Sequence, residues 1–105
     1  KGKVFDVAVD LRKNSKTYGK TFSCILSEKN SKSIYIPAGF AHGFCGLDKE
    51  NYIMYSCTNY RHAKSEKTIK YNDSKFKIKW PIKKPIISIR DLSAISFAEF
   101  EKKYL

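Results

Sequence analysis

The stretch Val4-Phe5-Asp6-Val7-Ala8-Val9-Asp10-Leu11 sets the fold class. It alternates with period two and is rich in β-branched residues, which suits a strand and not an amphipathic helix. Similar patterns follow it down the chain. Residues 18–27 resume the alternation through Phe22, Cys24 and Leu26, after a polar connection at 13–16. A short strand is expected at 33–36, closed by Pro37-Ala38-Gly39, where proline followed two residues later by glycine marks a tight turn. Residues 44–47 and 51–58 read as a strand pair joined through Asp48, Lys49 and Glu50. Further strands are expected at 67–71 and 76–80, separated by the turn Asn72-Asp73-Ser74 and stopped by Pro81.

The last segment changes period. Over 91–105, Leu92, Ile95, Phe97, Phe100 and Tyr104 recur at two to four residues, with Lys102 and Lys103 near the end, where a helix favours cations. Many short strands followed by one helix predict an all-β sandwich or barrel with a C-terminal helix.

At 105 residues, with 42% hydrophobic and 14% aromatic content, the chain is expected to form one domain, residues 1–105, around one core. No run approaches the ~20 apolar residues a membrane span requires, so no membrane association is expected. The 3 cysteines, Cys24, Cys45 and Cys57, include no Cys-x-x-Cys pair. An odd number fits a reducing compartment better than a disulfide framework, and a cytoplasmic location is expected. With 2 histidines, His42 and His62, no metal site is expected.

The balance of 21 Lys plus Arg against 10 Asp plus Glu gives +11, which admits nucleic acid, an anionic surface or a phosphorylated small molecule as partner. The densest basic run lies at 64–84, where Lys75, Lys77 and Lys79 alternate with Phe76, Ile78 and Trp80. That alternation reads as a half-buried strand with a solvated, lysine-protected outer face rather than a nucleic-acid footprint.

Two segments carry candidate chemistry. In Ile34-Tyr35-Ile36-Pro37-Ala38-Gly39-Phe40-Ala41-His42-Gly43-Phe44 a strand enters a Pro-x-Gly turn and His42 emerges three residues after the glycine. Phe40 and Phe44, if they face inward, give its imidazole apolar surroundings that favour the neutral form. The second segment holds Tyr52, Tyr55 and Tyr60, with Tyr55 on the opposite face from the other two in a regular strand.

Together these stretches resemble the dTDP-4-dehydrorhamnose 3,5-epimerase family. The resemblance is carried by Phe5-Asp6-Val7-Ala8-Val9-Asp10-Leu11-Arg12, Ser15, Thr17-Tyr18-Gly19, and Ile36 through Phe44. It continues through Tyr55, Cys57-Thr58-Asn59-Tyr60, Glu66, Asn72-Asp73, Trp80-Pro81 and Ile87-Ser88-Ile89-Arg90-Asp91. Two positions depart from the family pattern: Arg61 stands where a second tyrosine is common, and Arg90 where lysine is common.

The resemblance implies a cupin-type jelly roll that forms a homodimer and uses neither metal nor organic cofactor. It implies epimerisation at C3 and C5 of a dTDP-linked 4-keto-6-deoxy sugar by proton abstraction beside the C4 ketone. By the same resemblance, Tyr55 is the proton donor, Asp91 orients the base histidine, and His42 contacts substrate near the developing enolate. The base histidine of the family lies in an Arg-x-x-His segment ahead of the strand that holds Asp6. The 105 residues therefore read as the C-terminal part of a longer domain, and on their own are expected to be inactive. A non-catalytic cupin remnant acting as a binding or assembly module, and an epimerase of a related nucleotide sugar, are the alternative readings.

Overall fold

The computed structural model describes residues 1–105. Three strands, β1 (Lys3–Asp10), β2 (Thr21–Ser27) and β3 (Phe40–Gly46), form one antiparallel sheet in the order β2-β1-β3. β1 is the centre, with Asp6 opposite Cys24 of β2 and Phe44 of β3, and Ala8 opposite His42. Alternation then assigns the faces. Phe5, Val7 and Val9 share one face with Ala41, Gly43 and Cys45, whereas Asp6, Ala8 and Asp10 share the other with Phe40, His42 and Phe44.

The first face carries the core. Val7 and Val9 are buried against Phe76 and Phe97, whose rings lie 4.9 Å apart, and Trp80 meets Phe5 edge-on at 5.7 Å. These contacts hold the C-terminal third of the chain over the sheet. Trp80 Nε1 donates to the Tyr71 carbonyl at 2.8 Å, so the indole buries its ring without stranding its one donor.

Helical structure is confined to the end of the chain, apart from one 3-10 turn at Ala63–Ser65. The expected helix over 91–105 is divided into α1 (Ile89–Leu92) and α2 (Phe97–Tyr104). Ser96 marks the break, because a serine side chain serves the backbone better at a helix start than within a helix. Ser88 Oγ accepts from Asp91 N at 3.2 Å to cap α1. Ser96 Oγ accepts from Glu99 N at 3.2 Å, and Glu99 accepts in return from Ser96 N at 3.2 Å, a complete capping box. A further first-turn donor, Phe97 N, reaches Asp73 Oδ2 at 2.8 Å, which ties α2 to the 72–75 turn. Between the two helices Ile95 makes a single parallel bridge to Ile69.

The strands expected at 33–36, 51–58 and 76–80 are absent, and 67–71 contributes only that bridge. Alternation at 76–80 has the predicted sense, with Phe76 buried and Lys75, Lys77 and Lys79 exposed. Lys77, however, takes φ 52, a left-handed conformation that interrupts an extended ladder. The third strand begins at Phe40, earlier than the expected 44, and pairs with β1 instead of with 51–58. Residue 52 docks its amide on the Lys1 carbonyl at 2.8 Å, but the segment beyond is exposed and unpaired. No helix is long and apolar enough to cross a membrane.

Candidate functional site

Two aspartates are buried in β1, Asp6 at 4% and Asp10 at 1% exposure, and each has found partners, as a buried charge requires. For Asp6 the partner is His42, whose Nε2 lies 2.9 and 3.0 Å from the two carboxylate oxygens. The contact runs diagonally between β1 and β3, two ladder positions apart and so on one face. An ionised carboxylate only accepts, so Nε2 carries the hydrogen and donates it, which leaves Nδ1 free for other work. The His42 side chain keeps 36% of its surface exposed, so an imidazole oriented from behind still meets what enters in front.

The apolar setting expected for His42 is corrected by this geometry. Phe44 does flank the ring, with centroids 5.9 Å apart, but the closest partner of the imidazole is a carboxylate. Asp6 was not singled out from the sequence. The signal was present: an aspartate on the inward side of an apolar strand, in phase with Val4 and Ala8, demands a partner.

A cleft of about 680 Å³, lined by Asp91, lies between β3 and the segments 65–71 and 90–91, on the Val7–Val9 face; His42 borders it as a residue of β3 while its imidazole is turned to Asp6 on the other face. Its apolar wall includes Ile69, Phe76, Ile78 and Trp80, and its rim holds Lys67, Lys70 and Arg90. Apolar walls with a few directed polar groups and a cationic rim suit a ring with an anionic substituent. A second cleft of about 500 Å³ shares Phe44, Tyr71, Trp80 and Asp91 with the first. Asp91 itself lies on α1, with Arg90 Nε at 3.8 Å from its carboxylate.

Tyr55 is elsewhere. It is 74% exposed, belongs to the unpaired 51–60 segment and lines neither cleft. That segment is tied to α1 through Glu66, whose carboxylate accepts from Arg61 Nε at 2.5 Å and from Arg90 Nη1 at 3.1 Å. The two arginines that depart from the family pattern thus meet on one carboxylate. Glu66 is held below the usual carboxylate range, first by its hydrogen bond with Arg61.

His62 has its Nδ1 at 2.6 Å from Ser65 Oγ. No three His, Cys, Asp or Glu side chains converge as a metal site would require. All three cysteines are free thiols. Burial, and then the charge of Asp6, push the Cys24 thiol up, away from thiolate chemistry.

Comparison with known proteins identifies the lineage. The family model described as dTDP-4-dehydrorhamnose 3,5-epimerase matches residues 1–99. A Neisseria gonorrhoeae protein named dTDP-4-dehydrorhamnose 3,5-epimerase is 42% identical over 105 residues, which are 99% of this chain and 32% of the relative. The crystal structure of dTDP-4-dehydrorhamnose 3,5-epimerase from Elizabethkingia anophelis superposes with a TM-score of 0.83 at 39% identity, over 94% of this chain and 55% of that one. The Legionella pneumophila dTDP-6-deoxy-D-glucose-3,5-epimerase, solved in complex with dTDP-4-keto-L-rhamnose, gives 0.76 at 39% identity, over 90% and 51%. The chain spans about a third to a little over half the length of these relatives. Likeness at this level carries the fold class, an all-β, cupin-type jelly roll, of which the three strands and the closing helices are a portion. Sequence motif, sheet register and superposition agree that the chain belongs to the dTDP-4-dehydrorhamnose 3,5-epimerase family.

Proposed function

We propose that the full-length protein containing this chain is a dTDP-4-dehydrorhamnose 3,5-epimerase, which converts dTDP-4-keto-6-deoxyglucose to dTDP-4-keto-L-rhamnose. The observation that carries the reading is the buried Asp6 that holds a half-exposed His42 on one face of the β1–β3 pair.

The reaction asks for a base on one face of the sugar and an acid on the other. The C4 ketone acidifies the hydrogens at C3 and C5. Removal of either proton places the electron pair on the C4 oxygen as an enolate, and return of a proton to the opposite face inverts the carbon. No electron is transferred to or from the sugar, so the ketone itself supplies the electron sink, and no cofactor is called for. His42, held by Asp6 through Nε2–H, contacts the substrate near the developing enolate, where it donates from Nδ1 to the C4 oxygen only in the imidazolium form, with a proton on both ring nitrogens. Asp91 orients a base histidine contributed by the part of the protein ahead of Lys1. Tyr55 returns the proton, a role that requires the 51–60 segment to fold over the cleft. Lys67, Lys70 and Arg90 at the rim favour the diphosphate of the substrate. A homodimer and a cytoplasmic location complete the reading, the latter supported by three free thiols.

The test is conversion by the full-length protein, followed by proton NMR of the sugar. Product inverted at C3 and C5, lost on Tyr55→Phe, supports the reading; unchanged substrate overturns it. One observation favours a second reading, a non-catalytic binding module: Tyr55 is exposed and stands outside the clefts that Asp91 lines. On that reading the full-length protein leaves the sugar unchanged and still binds its nucleotide.

A further inference from the structure

His42 is placed by the start of β3, and the start of β3 is held by an unusual concentration of contacts on one side chain. Arg12 lies just beyond the end of β1. Its Nε donates to Asp10 Oδ1 and its Nη2 to Asp10 Oδ2, both at 3.0 Å, and its backbone N reaches Oδ1 at 2.9 Å. Asp10 Oδ2 also accepts from Ser15 Oγ at 2.6 Å and Thr17 Oγ1 at 2.5 Å. The carboxylate is thereby saturated, and the guanidinium is fixed in plane and position.

What that guanidinium touches on its other sides is the turn before His42. Its centre lies 4.7 Å from the centroid of the Phe40 ring, over its face. Gly39 adopts φ +90, and a Cβ there would fall 2.6 Å from Arg12 Cγ, so the turn and the arginine stem are in direct contact. The Leu11 amide donates to the Gly39 carbonyl at 2.9 Å. Asp10 and Phe40 are opposite each other in the ladder, on the same face as Asp6 and His42. Phe40 is the first residue of β3, and His42 is the next residue of β3 on that face.

We infer that Arg12 is a positioning residue for His42: clamped to Asp10 and packed on Gly39 and Phe40, it fixes the first ladder pair of β3 and so holds the imidazole against Asp6. The inference rests on the role given to His42 under the proposed function. A strand end without such an anchor frays, and a histidine two residues from the end samples positions away from its carboxylate. Lysine in place of Arg12 keeps the charge but loses the two-pronged contact and the planar stacking.

The experiment compares Arg12→Lys, His42→Asn and the double variant in the full-length protein, using conversion of dTDP-4-keto-6-deoxyglucose. Arg12→Lys is expected to lower kcat about tenfold with KM within about twofold, and to have no further effect once His42 is Asn. Phe40→Leu, which keeps the Asp10 contacts and removes the stacked ring, serves as a gentler variant with the same dependence on His42. Equal losses in both backgrounds, or an unchanged kcat, overturn the inference. Should the wild-type protein not turn over, the proposed function fails on its own, and nitrogen NMR of His42 decides the inference. An Nε2–H signal shifted by Arg12→Lys and by Phe40→Leu upholds it, and one identical to wild type overturns it.

Discussion

Replacing Asp6 by Asn separates orientation of His42 from support of the fold. The two side chains have nearly the same shape, so the strand centre stays filled, but the charge is lost and the amide can present either a donor or an acceptor to Nε2. Hydrogen bonds to an ionised partner contribute about 1.5–3 kcal/mol, whereas neutral ones contribute about 0.5–1.5. The difference is about 1–2 kcal/mol, or roughly 5- to 30-fold in rate if the contact is needed in the transition state. Burial strengthens the case, since the Asp6 side chain is only 5% exposed and water cannot replace the lost partner. Stability should fall by no more than about 1–2 kcal/mol, because the weaker hydrogen bond is offset by the lower cost of burying an amide than a carboxylate. The assay is conversion of dTDP-4-keto-6-deoxyglucose by the full-length variant, beside a denaturant titration of the same sample. A folded Asn variant with a wild-type rate refutes the reasoning; a loss of rate that merely follows a loss of stability refutes it as well.

Other expectations follow from the packing and the charges. Phe97→Ala removes a ring that is 3% exposed and packed 4.9 Å from Phe76. It should cost about 3–5 kcal/mol in a denaturant titration, and a loss below about 1 kcal/mol would contradict the core described above. The Tyr18 hydroxyl donates to Glu101, and this contact, then burial, pushes its pKa up to about 12. Its stabilisation is present below the ordinary tyrosine value of about 10 and is lost as pH rises toward 12, so wild type should lose its melting-temperature advantage over Tyr18→Phe in that window. Glu66→Gln should speed amide hydrogen exchange in α1, because Arg90 loses its tie to Arg61. Glu66 is held low by its arginines, so the difference between wild type and variant should be present at neutral pH and shrink in acid; protection that is equal at both would refute the link.

Much of this architecture is legible in the sequence where a residue pattern has one physical solution. The 4–11 alternation is such a case: Val7 and Val9 must face a core, and the central strand they form orders the rest of the sheet. The Pro37-Ala38-Gly39 turn likewise announces His42, and Gly39 proves to need its positive φ. Pairing is less legible. Alternation at 76–80 tells which side chains go inside, and Phe76 obeys, but it does not tell whether a backbone partner exists, and Lys77 turns the chain out of extension. The helix break was readable in part, since Ser96 followed by Glu99 is a capping box, yet the apolar spacing across Ile95 masked it. Asp6 and His42 are 36 residues apart and meet only through strand register, which no local pattern encodes. The net charge of +11 stays mostly on the solvated surface, with Lys67, Lys70 and Arg90 the part that borders the cleft.

The most direct measurement is solvent deuterium incorporation at C3 and C5 of dTDP-4-keto-6-deoxyglucose in heavy water, with the full-length protein and its His42→Asn and Tyr55→Phe variants. Label at both carbons with the wild-type protein, sharply reduced by either substitution, is the expected result. A folded wild-type protein that binds the nucleotide sugar and leaves both positions unlabelled would contradict proton abstraction at this site.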